Sequence, residues 1–536
     1  MTMPTHTEPR RGEPLPESCD VVVIGAGAGG LTAAALLSHA GLTTVVLESD
    51  SQVGGYLAGF KRRGFSFNTS IEWLNQCGPG GFVYQLFASL GNGPPPECPQ
   101  MQRIRRFKSD SYDYMLTSNP DELRDCLLRD FPGDAAGIKA FFRDAKKLGQ
   151  RLAILDRNIM GPDTLTLVER AVRALRGFYW ALPIARYILT PVDRGLRRYF
   201  GTNGAEQVFG THQTLMSVMV SVGWAYAGNF QACPKGGSRT LALWLSERIK
   251  TTGSQIALNS RVERVLLDER QAACGVELTD GRTIRARYVV AACDIRKLYE
   301  QMLPTGTVPE RLLKALREAE IYHSCFSIFI GLNCEVSALG LGGEAVNLTR
   351  RGLNRADHSG GDPHKTIITV LSPSALDPTL APPGKGTMII HCPAYLDYQK
   401  QWQTGAGLSR GEEYQAAKKE FAEILLDRIE ANFLPDLRQH IEIMEIATPV
   451  TYWRYTGNAM GSISGVKPTI RNVRAGVAHY QTPVRRLLLG GHCGEYGGGV
   501  PMAVRAAANA SLIVLKDLKP EAYSRLKSVV NDPLES

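Results

Sequence analysis

Apolar residues near the amino end change their spacing in a way that predicts a strand, a helix and a second strand. Residues 21–24 are four consecutive apolar residues, which is typical of a short strand buried in a parallel sheet. Apolar residues at helical spacing follow over residues 31–39, and Gly41 closes that segment. Residues 44–47 then predict another buried strand. This order predicts a parallel βαβ unit.

The pattern changes again in the second half of the chain. Residues 260–281 predict a hairpin with an Asp-Gly turn, and residues 288–292 predict a further buried strand. Near the carboxyl end, the leucines at 487–489 lead into a glycine-rich turn and a helix over residues 502–515. This last unit therefore repeats the order of strand, glycines and helix seen near the amino end.

Length and composition describe an ordinary globular protein of more than one domain. The 536 residues are too many for a single core and predict two or three domains. The net charge of +9 is mild for this length and does not predict a nucleic-acid partner. Eleven cysteines occur without a CxxC pair. This usage favours reduced thiols in the cytoplasm over a disulfide framework or a zinc site.

Two features near the amino end resemble targeting signals but are interpreted otherwise. Arg10-Arg11 suggests twin-arginine export, yet the apolar segment that follows is the βαβ unit, so cleavage there would destroy the glycine turn. Residues 21–47 lack Asp, Glu, Lys and Arg, but their glycines and βαβ order argue against a transmembrane helix. We expect a protein that is soluble or lies on a membrane surface.

The turn after the first strand has the composition of a phosphate-binding loop. It satisfies the GxGxxG pattern with Gly25, Ala26, Gly27, Ala28, Gly29 and Gly30. Gly25 permits a tight turn, Gly27 lets a pyrophosphate approach the backbone, and Gly30 lets the helix pack on the strand. Glu48 ends the second strand, where a carboxylate accepts hydrogen bonds from a ribose. We infer a dinucleotide-binding unit; the alternative is a glycine-rich turn in an ordinary α/β unit.

A second glycine pair, Gly54-Gly55, follows Glu48 by six residues and is not part of a simple NAD motif. Together with the run from Arg63 to Asn68, it resembles flavoproteins of the amine oxidase superfamily. The resemblance is to the group that contains phytoene desaturases, carotenoid isomerases and retinol saturases. In that group an acid usually occupies the position of Asn68, and Arg, Lys or Cys often occupies that of Tyr56.

The resemblance implies further cofactor contacts far along the chain. In the family, the backbone at the position of Val262 contacts the adenine, and the motif around Gly491, Gly499 and Val500 crosses beneath the flavin. An acid two residues after the leading glycine of that motif usually contacts the ribityl hydroxyls. Here either Glu495 replaces it or the backbone alone makes the contact. No metal is predicted, because His492-Cys493 has no second ligand pair at a suitable spacing.

The resemblance covers residues 19–518 and implies FAD as cofactor and an α/β fold. That fold has a Rossmann-like FAD-binding domain that is discontinuous in sequence, a second mixed α+β substrate domain and a helical membrane-docking insertion. The predicted divisions are a disordered tail (1–18), the FAD-binding domain (19–110 with 230–300 and 470–520), the helical insertion (111–229) and the substrate-binding domain (301–469).

Residues 168–200 are the candidate docking surface. They hold seven arginines against two acids, interleaved with aromatic residues. Arg170, Arg173 and Arg176 recur at every third position and so share one flank of a helix. A basic flank beside an apolar one is typical of an interfacial helix on anionic lipid. The alternative is a solvated helix on the protein body, and the resemblance to membrane-docking desaturases favours the interface.

The chemistry implied by the resemblance is hydride transfer at flavin N5, acting on a long apolar polyene or isoprenoid lipid. Desaturation, isomerisation and saturation all occur in the group. Glu72 is the candidate acid–base residue, because it follows the Asn68 motif in a loop expected near the flavin, and burial beside Trp73 would raise its pKa. The alternative is a structural glutamate.

Two other functions fit the same fold. One is an oxidase of an amine or another small substrate, although no aromatic pair of the kind that amine oxidases use can be placed in this sequence. The other is a non-catalytic prenyl-lipid-binding protein. Gly25, Gly27, Gly30 and Glu48 are all retained, which disfavours a scaffold that has lost its cofactor.

Overall fold

The computed structural model describes residues 14–71, 73–156, 159–201, 204–209, 214–397 and 400–530. Within these ranges the strands, numbered along the chain, are β1 (Ser18–Ile24), β2 (Thr44–Leu47), β3 (Gly59–Arg62), β4 (Phe65–Asn68), β5 (Arg103–Lys108), β6 (Asp113–Thr117), β7 (Gln255–Ala257), β8 (Val262–Leu267), β9 (Ala273–Leu278), β10 (Thr283–Ala291), β11 (Ser324–Leu332), β12 (Ala345–Leu348), β13 (Ile368–Leu371), β14 (Gly386–Ala394), β15 (Ile441–Ala447) and β16 (Leu487–Leu489).

The α-helices of the same ranges are α1 (Ala28–His39), α2 (Phe82–Ala88), α3 (Pro120–Asp130), α4 (Ala135–Asp156), α5 (Leu167–Leu189), α6 (Val192–Tyr199), α7 (Leu215–Tyr226), α8 (Arg239–Lys250), α9 (Ile295–Lys297), α10 (Glu310–Arg317), α11 (Arg355–Ser359), α12 (Glu412–Asn432), α13 (Pro449–Thr456), α14 (Ile470–Ala475), α15 (Gly499–Leu518) and α16 (Pro520–Val530).

The first sheet is built around β1 and has the order β7-β2-β1-β10-β9-β8, with β16 also paired to β10. β7, β2, β1, β10 and β16 run parallel, whereas β9 and β8 add an antiparallel edge. Val21 and Val23 are fully buried beneath α1, on which α8 and α15 pack, and Val22 is fully buried in the core on the opposite face of the sheet. The carboxyl ends of β1, β2, β10 and β16 therefore meet at one edge, where ligands bind in open α/β sheets.

The second sheet has the order β15-β11-β14-β13-β12-β5-β6. Its pairs are antiparallel except for β5 with β12. All nine residues of β11 are buried, and α12 supplies apolar side chains to the core on that sheet. β5 belongs to this sheet, although the predicted boundary at residue 110 places it in the first domain.

The helices α3 to α7 pack on one another, and α3 and α7 contact β6 at the edge of the second sheet. α4 and α7 approach closely because Gly149 and Gly223 face each other: a Cβ on Gly149 would lie 2.1 Å from the Gly223 carbonyl oxygen. The candidate docking stretch, residues 168–200, is not one helix. It forms α5 and α6, which separate at Thr190-Pro191.

The outward face of α5 is apolar, with Leu167, Val168, Leu175, Phe178, Tyr179 and Leu182 each more than half exposed. Arg173 instead faces the protein body: both terminal nitrogens of its guanidinium are buried, and burial lowers its pKa to about 10. The predicted arginine flank is therefore not uniformly exposed. In the described ranges, no helix is both long enough and apolar enough to cross a membrane.

Candidate functional site

A cleft of about 390 Å³ opens at the carboxyl edge of the first sheet. It is bounded by the loops after β1, β2 and β10, by the residues that follow α13, and by the start of α15. Twelve of the residues predicted to bind the cofactor line it: Gly25, Gly27, Ala28, Gly29, Glu48, Gly54, Gly55, Tyr56, Val262, Gly491, Gly499 and Val500.

The first glycine loop has the geometry that a bound pyrophosphate requires. Gly25 adopts φ +98°, a left-handed conformation that favours glycine, and its N–H donates to the Leu47 carbonyl. A Cβ on Gly27 would meet no protein atom within 4 Å, so open space lies directly over this backbone. Gly30 does not line the cleft. A Cβ there would lie 1.9 Å from the Gly25 carbonyl oxygen, so glycine is needed for α1 to pack against the loop.

Glu48 is held in place by the same loop. Ala26 does not line the cleft, but its N–H donates to Oε2 of Glu48 at 2.7 Å. The N–H of Asp50 donates to Oε1 at 2.9 Å. The Ser49 hydroxyl also donates to Oε1, at 3.2 Å. Oε2 can accept a second hydrogen bond, so the carboxylate is fixed in orientation and still able to accept a hydrogen bond from a ribose hydroxyl.

The second glycine pair lies against the first loop. The Gly54 N–H donates to the Ala26 carbonyl at 2.8 Å, and Gly54 adopts φ +124°. Tyr56 follows, with its hydroxyl donating to the Ser462 carbonyl at 2.8 Å. Burial raises the pKa of Tyr56 to about 12, so this hydroxyl stays protonated at neutral pH.

The carboxyl-terminal motif contributes a strand, a turn and a helix start. β16 leads into Gly491, and α15 begins at Gly499 after Gly498, which has φ +66°. The first N–H groups of a helix have no partner within it and form a positive end that favours negative charge. Gly499 and Val500 place this end of α15 in the cleft.

Glu495 is not brought to the cleft. Its carboxylate lies 3.5 Å from Nε of Arg505, and burial raises its pKa. Of the two alternatives that the sequence left open, this position favours a ribityl contact from backbone groups. His492 does line the cleft, and burial lowers its pKa, which keeps the ring neutral.

Sequence reasoning missed Asp294, which lies in the cleft just after β10 and is 7% exposed. Its Oδ1 accepts the N–H groups of Arg296 and Lys297, and its Oδ2 accepts that of Ala459 at 2.8 Å. The available signal was its place after the parallel strand β10, at the edge where Gly25 and Glu48 also lie.

Glu72, the predicted acid–base residue, lies outside the described residues. Its neighbours Ser70, Ile71 and Trp73 line the cleft. In the described ranges, no group of three or more His, Cys, Asp or Glu side chains could hold a metal ion.

The residues that are present fit an adenine dinucleotide. Gly27 leaves open space where a phosphate can approach, two helix amino ends face the cleft, and Glu48 offers carboxylate oxygens at the end of β2. These features come from separate parts of the sequence and converge on one cavity. The cleft is therefore built for a ligand with a diphosphate and a ribose.

Solved structures share the fold. Wild-type putrescine oxidase bound to putrescine matches with a TM-score of 0.58 at 13% identity, covering 93% of this chain and 99% of that one. Cyclohexylamine oxidase from Brevibacterium oxydans matches with a TM-score of 0.56 at 16% identity, covering 94% and 100%. At these identities the likeness shows the fold alone.

Curated relatives match over nearly their whole length. All-trans-retinol 13,14-reductase from Danio rerio is 28% identical, with 96% of this chain and 89% of the relative covered. Phytoene desaturase (lycopene-forming) from Pseudescherichia vulneris is 24% identical, with 93% and 99% covered.

The sequence model of the family described as flavin containing amine oxidoreductase matches residues 28–515. This match confirms the predicted superfamily, and with it the α/β fold and the FAD cofactor. The chain therefore belongs to the flavin-containing amine oxidoreductase family and is an FAD-dependent oxidoreductase.

Proposed function

We propose that this enzyme oxidises, isomerises or saturates carbon–carbon bonds of a long apolar polyene or isoprenoid lipid. The full-length similarity to a retinol 13,14-reductase and a phytoene desaturase carries the proposal. The cleft supports it, because Ile71, Leu74 and Ile463 add apolar side chains to the glycine-rich lining. Apolar walls favour a hydrocarbon and exclude water.

FAD, when bound, supplies hydride transfer at N5. Gly491, Gly499 and Val500 line one end of the cleft, called the ring end below, and would hold the isoalloxazine. There the amino end of α15 favours the negative charge that accumulates on reduction. The glycine loops would hold the diphosphate, and Glu48 would accept hydrogen bonds from the ribose. Val262 provides backbone contact for the adenine.

Glu72 is the proposed acid–base residue, because the transfer of a hydride to or from one carbon leaves a proton to be moved at the neighbouring carbon. We expect Glu72→Gln to leave the flavin absorbance spectrum intact and to reduce turnover about 100-fold, the lower range for a lost general acid–base. Unchanged turnover would remove Glu72 from the mechanism.

The substrate class is tested with purified holoenzyme. We expect the oxidised protein incubated with phytoene, or the photoreduced protein incubated with all-trans-retinol under argon, to yield a product with a changed chromophore on chromatography. Putrescine, a small amine, is the comparison substrate. Oxidation of putrescine with neither polyene converted would support the amine-oxidase alternative instead.

We also propose that the enzyme is cytoplasmic and peripheral to the membrane, docking through α5. The supporting observation is the outward apolar face of that helix, on which Leu175 is 74% and Phe178 is 63% exposed. Arg170 and Arg186 are also exposed on this helix and can contact anionic headgroups. An apolar face with basic neighbours suits the surface of an anionic bilayer.

Co-sedimentation with vesicles of anionic and zwitterionic lipid tests this surface. Leu175→Glu should weaken binding about tenfold or more, because burial of a leucine side chain contributes about 1.5–3 kcal/mol. Ile470→Glu is the matched control, since Ile470 is 51% exposed on α14, away from this surface. Equal loss of vesicle binding in the two variants would argue for a solvated helix. So would the absence of vesicle binding by the wild type and both variants.

A further inference from the structure

One short segment that follows the last strand of the second sheet lies across the cleft. Residues 458–465, called the bridging segment, follow α13, which itself follows β15 of the second sheet. Asn458, Ile463 and Ser464 from this segment line the cleft opposite the glycine loops of the first sheet. The segment therefore closes a site whose cofactor-binding loops belong to the first sheet.

Asp294 attaches one end of this segment to the first sheet. Its Oδ1 accepts two backbone N–H groups of its own turn, from Arg296 at 2.9 Å and Lys297 at 3.1 Å. Its Oδ2 accepts the N–H of Ala459, 165 positions away, at 2.8 Å. The side chain is 7% exposed, and hydrogen bonds to a buried charged group are among the stronger ones in proteins.

Tyr56 attaches the middle of the segment. Its hydroxyl donates to the Ser462 carbonyl at 2.8 Å and accepts from Nδ2 of Asn458 at 3.3 Å. The same Asn458 Nδ2 group also reaches the Ser462 carbonyl at 3.3 Å. The second glycine loop is thus joined to the bridging segment through a closed ring of hydrogen bonds.

The bridging segment also contacts the carboxyl-terminal motif at the ring end. A Cβ on Gly498 would lie 2.2 Å from the Ser464 carbonyl oxygen, and a Cβ on Gly465 would lie 2.7 Å from Cδ2 of His492. Met460 adopts φ +55°, an uncommon conformation for a residue that is not glycine. Such a conformation persists only where surrounding contacts enforce it.

We propose that Asp294 and Tyr56 are positioning residues that hold the bridging segment over the ring end, shielding the flavin from solvent and dioxygen. The proposal rests on the FAD cofactor and does not depend on which polyene is the substrate. Anionic reduced flavin that meets dioxygen gives up two electrons and one proton and, with a second proton from water, yields oxidised flavin and hydrogen peroxide. A closed segment prevents this loss, so that the electrons pass to the organic substrate in saturation or to another acceptor in desaturation.

The test uses FAD-loaded protein and two measurements that need no substrate. Iodide quenching of flavin fluorescence reports solvent access. The return of oxidised-flavin absorbance, after photoreduction under argon and mixing with air-saturated buffer, reports access of dioxygen. Asp294→Ala should increase both about tenfold, since it removes the acceptor that joins the two halves. Asp294→Asn, which keeps one acceptor oxygen, should fall between this variant and the wild type.

Tyr56→Phe is the second variant, because it removes only the hydroxyl and keeps the ring in the cleft. We expect both rates to rise about fivefold, for the loss of two neutral hydrogen bonds. If Asp294→Ala fails to retain FAD, Tyr56→Phe alone tests whether the bridging segment shields the flavin. Asp268→Ala is the matched control, because Asp268 also accepts two backbone N–H groups, in an exposed turn away from the cleft.

Unchanged quenching and reoxidation in FAD-loaded Tyr56→Phe and Asp294→Asn would overturn the proposal. So would an equal increase in Asp268→Ala, which would indicate general loosening of the fold. Failure of the enzyme to act on polyenes leaves both readouts intact. The two proposals therefore succeed or fail separately.

Discussion

Gly27 and Gly30 belong to the same turn, yet a methyl group at the two positions would meet different surroundings. At Gly27 the methyl group would enter open space in the cleft, and the backbone there (φ −76°, ψ −179°) suits alanine. We expect Gly27→Ala to change the free energy of unfolding of the apoprotein by less than about 0.5 kcal/mol. FAD affinity should fall about tenfold or more, equivalent to at least about 1.4 kcal/mol, because the methyl group occupies the path of the pyrophosphate.

Gly30→Ala is the comparison that separates cofactor binding from folding. Its methyl group would meet the Gly25 carbonyl oxygen at 1.9 Å, so α1 must shift. Overpacking of this kind costs about 1–3 kcal/mol, visible as a lower denaturation midpoint of the apoprotein. Titration with FAD and urea unfolding of both variants measure the two effects. Equal FAD affinity in Gly27→Ala and the wild type would contradict the assigned phosphate position.

At the scale of elements, Asn509 of α15 binds the segment that leads into α5. The side chain is fully buried, accepts the Gly161 N–H at 2.6 Å and donates to the Ile159 carbonyl at 2.8 Å. Asn509→Ala leaves both groups buried without this partner. We expect a loss of about 2 kcal/mol in the free energy of unfolding, together with faster proteolysis near residue 160.

Asn432→Ala is the control for the loss of the Asn509 hydrogen bonds. The side-chain amide of Asn432 also donates a hydrogen bond, to the Arg428 carbonyl, but Asn432 is exposed on α12. Its replacement should change the denaturation midpoint little. Similar losses in the two variants would mean that the buried bonds of Asn509 contribute no more than a solvated one.

Elements that follow from local pattern could be predicted from the sequence, whereas contacts between distant segments could not. The glycine turn at Gly25 and the strand ending before Glu48 follow from spacing, because turn geometry and sheet burial act over a few residues. The bond from Asp294 to Ala459 depends on how two sheets are placed, and no local pattern encodes it. The inward direction of Arg173 was missed for the same reason, since periodicity gives a helix face but not what covers it.

At the scale of the whole molecule, two sheets meet at a cleft that each half completes, so cofactor binding and unfolding should involve both. Two histidines with lowered pKa values provide an independent probe, one packed with each sheet. His358 lies in α11, in the connection from β12 to β13 of the second sheet, and is 5% exposed. His492 lies in the carboxyl-terminal motif that follows β16 of the first sheet. Burial lowers the pKa of both below the usual 6.5.

These shifts fix the sign of a pH effect on stability. A histidine whose pKa is lower in the folded state binds fewer protons folded than unfolded, so its contribution is complete above pH 6.5 and is lost as pH falls below that value. The slope for one such group is at most about 1.4 kcal/mol per pH unit.

We expect the urea midpoint of the apoprotein to fall between pH 7 and pH 5. His358→Gln and His492→Gln should each flatten that fall, and His364→Gln, at an exposed position of the same loop as His358, should not. If the two halves unfold as one unit, both variants act on a single transition. Separate transitions, each flattened by one variant only, would show that the halves are held together by the cofactor instead of by contacts such as that of Asp294 with Ala459.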